Sequence, residues 1–283
     1  MNLKHKVTFA AGAIAVFAAG SALAANATVT WNPSGTLPPL AAAGPFSADN
    51  VFLADYSSIT IASNNAGANN FIEQGFLPVT AFGLNGATVG TPVNQAPGYG
   101  LYIAFSGSGV QNGPLPTTIG ESVSGSFSSL TYTLFGVPGH PASFDMNADG
   151  TFSVSNNAGA IELATGSLIN PGGTSLTLTS AGYLPAAQLI ADFVPNTNTA
   201  AAGFFVNPNA SVVLQLDAAF TNTTSVISTR SLGDGATRIS INGGGGNATF
   251  AVTPIPEPET YAMMLAGLGL MGFVARRRMK KQK

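Results

Sequence analysis

Ser211-Val-Val-Leu-Gln-Leu-Asp-Ala-Ala-Phe-Thr221 is the stretch that decides the fold. Val212, Leu214, Leu216 and Phe220 fall on one face, and Gln215, Asp217 and Thr221 fall on the other. A period of two is the mark of a half-buried β-strand. The same alternation runs through Leu101-Tyr-Ile-Ala-Phe105, Leu130-Thr-Tyr-Thr-Leu134 and Ser175-Leu-Thr-Leu-Thr179. Residues 50–56, 57–62, 125–128, 151–155 and 238–241 read as further strands. Helical periodicity is confined to residues 184–193.

Clusters of Gly, Pro and Asn punctuate these runs: residues 64–67, 96–98, 136–139, 170–173 and 233–235. Such residues preset φ or allow it to be positive, so each cluster reads as a turn. Asn242-Gly-Gly-Gly-Gly-Asn247 reads as a hairpin turn between residues 238–241 and 248–252. It lacks the Lys and Ser/Thr of a phosphate-cradling loop. Many short strands with turns between them predict an all-β body, an antiparallel sandwich or a barrel. The hexapeptide Ser-Asn-Asn-Ala-Gly-Ala occurs at 63–68 and again at 155–160. Its flanks do not align, so it reads as one turn chemistry used twice rather than a duplicated module.

The charges are segregated. Of ten Lys and Arg, only Arg230 and Arg238 lie between residues 25 and 253, against ten Asp and Glu, a formal charge of −8 for that body. Nothing on such a body neutralises phosphates, which excludes nucleic acid as a partner. The chain has no Cys, which removes thiolate catalysis and leaves the fold to a hydrophobic core. The 229 residues from 25 to 253 are long enough to build one.

Both ends carry addresses. Lys4, His5 and Lys6 precede an apolar run at 7–20, and Ala22-Leu23-Ala24 is a small-x-small site. This is a signal peptide, residues 1–24, cleaved between Ala24 and Ala25. At the other end, residues 254–283 hold Pro256, Glu257 and Pro258, an apolar helix at 261–275, and the basic Arg276, Arg277 and Arg278 with Lys280, Lys281 and Lys283. The Arg cluster reads as a stop-transfer signal that stays on the cytoplasmic side. Fifteen helical residues span about 22 Å against a hydrocarbon core of about 30 Å, which suits a removable anchor.

This order of motif, helix and basic cluster resembles the sorting tail of the PEP-CTERM proteins of Gram-negative bacteria. The resemblance implies recognition by an exosortase in the inner membrane, transient anchoring there, and delivery to the cell surface or beyond. Shorter pieces, Thr30-Trp-Asn-Pro-Ser-Gly35, Phe46-Ser-Ala-Asp-Asn50, Gly75-Phe-Leu-Pro-Val79, Ala219-Phe-Thr-Asn-Thr-Thr-Ser225 and Ile241-Asn-Gly-Gly-Gly-Gly-Asn247, resemble the flocculation-associated, PepA-like subgroup of that family. That resemblance implies an extracellular biofilm or matrix protein needed for cells to aggregate with their exopolysaccharide.

Candidate chemistry is sparse. Asp145-Met-Asn147-Ala-Asp149-Gly150 matches the opening of a calcium loop, with oxygen donors at alternate positions. Position twelve is Asn156, where a bidentate Glu would close the site, and the competing reading is a turn between two strands. His140 sits in Gly-His-Pro without a nucleophile turn, and Gly107-Ser-Gly109 is only a fragment of one. Paired carboxylates for glycoside hydrolysis are not marked by any acid-rich aromatic cluster. Trp31, Tyr56, Tyr99, Tyr102, Tyr132 and Tyr183 either stack on sugars or pack in the body, packing being the more economical reading. The sequence thus points to a non-catalytic surface protein without a cofactor. A secreted carbohydrate-active enzyme on a β-scaffold is the alternative, and a calcium-dependent binding module comes third.

Overall fold

The computed structural model describes residues 27–36, 44–95, 98–206, 214–222, 227–233 and 235–252. The signal peptide with Ala24 and Ala25, the sorting motif Pro256, Glu257 and Pro258, the helix at 261–275 and Arg276, Arg277 and Arg278 lie outside the described residues. Among the described residues no helix is long and apolar enough to cross a membrane.

Eight strands carry the architecture: β3 (Asn50–Ile61), β4 (Ala68–Leu84), β6 (Gly98–Asn112), β7 (Ser122–Gly139), β10 (Ile161–Thr179), β11 (Gly182–Pro195), β12 (Leu214–Thr221) and β14 (Ala236–Val252). The hydrogen-bonded order is β12, β11, β10, β7, β6, β4, β3, β14, antiparallel throughout. β14 then pairs with β12, from Leu214 opposite Val252 to Phe220 opposite Gly246, and the sheet closes into a barrel. Of the two all-β architectures consistent with the sequence, the barrel is the one formed. Closure removes the unpaired edges that an open sheet must protect.

Smaller elements attach to this frame: β1 (Val29–Trp31), the single turn α1 (Pro33–Thr36), β2 (Phe46–Ala48), β5 (Ala87–Val89), β8 (Ser143–Met146), β9 (Phe152–Ser155) and β13 (Ile227–Gly233). β13 pairs with β14 from Gly233 opposite Ala236 to Ile227 opposite Ile241, ahead of the part that β12 uses.

Several segments differ from their sequence reading, each because neighbouring strands hold it. Residues 184–193 are not helical but lie in β11, where Leu189, Ala191 and Phe193 point inward and both edges are hydrogen-bonded, to β10 and β12. Residues 50–56 and 57–62 merge into the single strand β3. Residues 136–139 extend β7 rather than turn. Its pairing with β10 stops at Gly136, so the missing N–H of Pro138 leaves no gap in that ladder. Residues 170–173 sit inside β10 as an irregularity in register rather than a turn. Residues 242–247 are not a hairpin turn either: β14 runs through them, with one slip in register between Asn242 and Gly244 against β3. Gly243 takes the slip at φ 87°. The turn predicted at 64–67 joins β3 to β4, while residue 234 of the turn predicted at 233–235 lies outside the described residues. The two copies of the hexapeptide join different strands, β3 to β4 and β9 to β10.

Both ends of the barrel are covered. At the end where β3 begins, Trp31 is 1% exposed and meets Phe82 at 4.9 Å, Phe205 at 5.1 Å, and Phe204 and Phe250 at 5.8 Å between ring centres. At the other end the β6–β7 loop crosses the opening. Leu115 N–H donates to Asn64 Oδ1 at 2.6 Å, and Tyr183 O–H, from β11, donates to Pro116 O at 3.1 Å.

Candidate functional site

The barrel interior is mostly apolar because its strands alternate, and among its described polar lining residues two are acids. In β3 the inward series is Leu53, Asp55, Ser57, Ile59, Ile61; in β4 it runs from Phe71 through Glu73 to Leu77. Asp55 and Glu73 therefore stand on faces where apolar residues belong, and both line a cavity of about 90 Å³ inside the barrel. Glycine makes the room. Asp55 lies opposite Gly244 of β14, Glu73 opposite Gly107 of β6, and Ser57 opposite Gly75 of β4. A Cβ at Gly244 would run into Asn222 Oδ1, and one at Gly109 would strike Phe71 at 2.5 Å, so the lining also uses glycine to seat larger side chains.

Asp55 is 2% exposed. Glu73 is half-buried and lines the cavity. Ser57 Oγ donates to Glu73 Oε1 at 3.2 Å, and Asn222 receives Gly245 N–H on its Oδ1 at 3.2 Å. Burial pushes the Asp55 carboxyl up to about 6, with hydrogen bonds from Ser57 and Asn222 holding it back. Burial, reinforced by the negative charge of Asp55, pushes Glu73 up to about 8. The two carboxyls titrate as a pair, so near neutral pH they share one proton and one negative charge. No Lys, Arg or His is among the described residues that line the cavity, and Asp55 Oδ1 is buried without a hydrogen-bond partner.

No sequence motif marks this pair. The signal was present as an acid on the inward register of each alternating strand, but nothing in the sequence says that β3 and β4 turn those faces toward a common cavity.

The loop that resembles a calcium site has another occupation. β8 and β9 form a hairpin, and residues 147–150 make its turn. Asp149 Oδ1 accepts from Thr151 N–H at 3.0 Å and from its hydroxyl at 2.6 Å, while Oδ2 pairs with Arg238 at 3.1 Å. Those contacts hold the Asp149 carboxyl below the usual carboxylate range, the Thr151 hydroxyl contributing most. Asn147 Oδ1 accepts from Ser153, and Asp145 Oδ2 accepts from Ser155 at 2.8 Å. The three side chains are strung along the hairpin, each engaged by its own chain. Among the described residues no three His, Cys, Asp or Glu are grouped to hold a metal ion.

The turn docks the hairpin on the barrel. Ser240 Oγ donates to Gly150 O at 2.6 Å, and Arg230 donates to Ala148 O at 2.7 Å. Phe144 then stacks on Tyr56 at 5.3 Å and meets Phe76 and Tyr102 at 5.7 and 5.6 Å. Trp31, Tyr99, Tyr102 and Tyr132 are all buried, so these rings pack rather than offer faces to a sugar, and only Tyr56 and Tyr183 are partly exposed. His140 lies in the loop before β8, its ring Nδ1 3.2 Å from Pro141 O, away from the acid pair.

The outer wall of the barrel is polar without being charged over one band. Gln74, Ser106, Thr131 and Ser167 are aligned in register across β4, β6, β7 and β10, and all four are exposed. Beside them Ser108 and Ser129 share a hydrogen bond of 2.8 Å. Three inter-strand spacings make the band about 14 Å wide. Asp192 closes one end of it, accepting from Ser167.

No curated protein and no solved structure matches this chain. Residues 254–278 match the PEP-CTERM protein-sorting motif, which supports an exosortase-sorted surface protein.

Proposed function

We propose that the chain is a non-catalytic matrix protein, exported and sorted by an exosortase to the cell surface, where it promotes aggregation of cells with their exopolysaccharide. The sorting motif at 254–278 is the observation that carries the reading. The short pieces that resemble the PepA-like subgroup favour the flocculation role over other surface roles. The barrel wall is suited to it: the band of Gln74, Ser106, Thr131 and Ser167 presents amide and hydroxyl groups that exchange hydrogen bonds with sugar hydroxyls, without charges to desolvate.

The alternative, a secreted carbohydrate-active enzyme, has one observation in its favour, the acid pair Asp55 and Glu73. Glycosidases set two carboxyls on either side of an accessible scissile bond. Here the pair lines a cavity of only about 90 Å³ inside the barrel, too small to seat a sugar chain between the two carboxyls, which favours the non-catalytic reading.

The test is retention of purified full-length protein on the cells' exopolysaccharide, followed by analysis of the soluble fraction. Wild type is expected to be retained without releasing oligosaccharide. The triple variant Gln74→Ala, Ser106→Ala, Thr131→Ala is expected to be retained severalfold less. Oligosaccharide release that disappears in Glu73→Gln would replace this reading by the enzymatic one.

A further inference from the structure

We infer that the barrel interior is a binding site for a small, apolar primary amine, whose ammonium group meets Asp55 and whose alkyl part fills the remaining cavity. The inference goes beyond the surface role, which uses the outer wall alone.

Four observations converge. The cavity of about 90 Å³ is smaller than the cavity of about 150 Å³ that accepts benzene, so it suits a chain of a few carbons. Its walls are mostly apolar, with Ile59, Ile103, Phe105, Ala187 and Ala218 among them, which a fully hydrated ion would not favour. Four polar groups are linked at one place in it: Asp55, Ser57, Glu73 and Asn222. Asp55 Oδ1 has no donor, although it is buried. A buried acceptor left unpaired is costly, more so when charged, so a ligand that supplies a donor and a positive charge answers both deficits.

The choice of amine over alcohol or acid follows from charge. The barrel's two described arginines are on the outside, Arg238 paired with Asp149 and Arg230 bonded to Ala148 O. The net negative charge of the acid pair has no counter-ion within the described lining. An alcohol supplies a donor but no charge, and an acid would add a second negative charge. The Ser57 hydroxyl and the Glu73 carboxyl supply acceptors for the two remaining ammonium hydrogens.

Isothermal titration calorimetry of the purified full-length protein at pH 7 tests this with n-butylamine, n-butanol and butyrate as probes. The amine is expected to bind at one site per chain, at least tenfold more tightly than the alcohol, and butyrate is expected not to bind. Asp55→Asn is expected to weaken the amine at least tenfold and to leave the alcohol unchanged, since the amide keeps the shape and loses the charge. Ala187→Leu, which fills the cavity without touching the acid pair, is expected to abolish binding of both. Amine binding that survives Asp55→Asn or Ala187→Leu would overturn the assignment. So would equal affinity for amine and alcohol, or no heat of binding for the amine up to millimolar concentration.

Discussion

Replacing Glu73 by Gln is expected to stabilise the protein, and only above acidic pH. In the unfolded chain this carboxyl titrates at its ordinary 4.5, and in the barrel it titrates at about 8. The folded value is the higher one. The native side chain therefore contributes no penalty below pH 4.5, and the wild type loses stability progressively as pH rises from there through 8. At pH 7 the difference spans about 2.5 pH units, each worth 1.36 kcal/mol, so the penalty is about 3 kcal/mol. Gln keeps the oxygen that receives the Ser57 hydroxyl at 3.2 Å and carries no charge to desolvate. The groups bonded to the pair are Ser57 from β3 and Asn222 after β12, and no cation is among the described residues that line the cavity. A change of 1 kcal/mol moves the midpoint of a body this size by about 2–4 °C. Thermal unfolding followed by circular dichroism should thus place Glu73→Gln about 6–12 °C above wild type at pH 7, with the two coinciding at pH 4. A variant less stable than wild type at pH 7, or an offset equal at both pH values, would refute the reasoning that Glu73 is a buried, uncompensated acid.

Gly150→Ala should loosen the β8–β9 hairpin, because φ there is 83° and a Cβ would stand 2.7 Å from Ser240 Oγ; faster proteolysis within residues 143–155, with the barrel intact, is the readout. Adding millimolar calcium, or removing it with a chelator, is expected to leave the unfolding midpoint unchanged, since Asp145, Asn147 and Asp149 are each engaged by the hairpin or by Arg238; a calcium-dependent rise would revive the metal reading. Mass spectrometry of the released protein should find residues 261–283 missing, and Glu257→Ala should leave an unprocessed precursor in the membrane; a released form that keeps those residues would mean a permanent anchor.

The alternation in residues 211–221 and its counterparts determined that the body is all-β, because a period of two buries one face of a strand wherever that strand lies. The order of residues 254–283 determined the sorting motif, because such a signal is read along the chain and not across a fold. Closure into a barrel was decided only in three dimensions: the pairing of β12 with β14 joins residues far apart on the strand order, and no local pattern encodes it. The same holds for residues 242–247, where a glycine run that reads as a turn is held straight by β3 on one side, with Asn222 bonded to Gly245. It holds for Asp149, whose partner Arg238 is 89 residues away. It holds most of all for Asp55 and Glu73. Each is an isolated acid on an apolar face in sequence, and their chemistry arises because the barrel turns both inward, away from water and from any cation among the described lining residues. A pKa depends on what surrounds a group in space, and that is information only the tertiary structure holds.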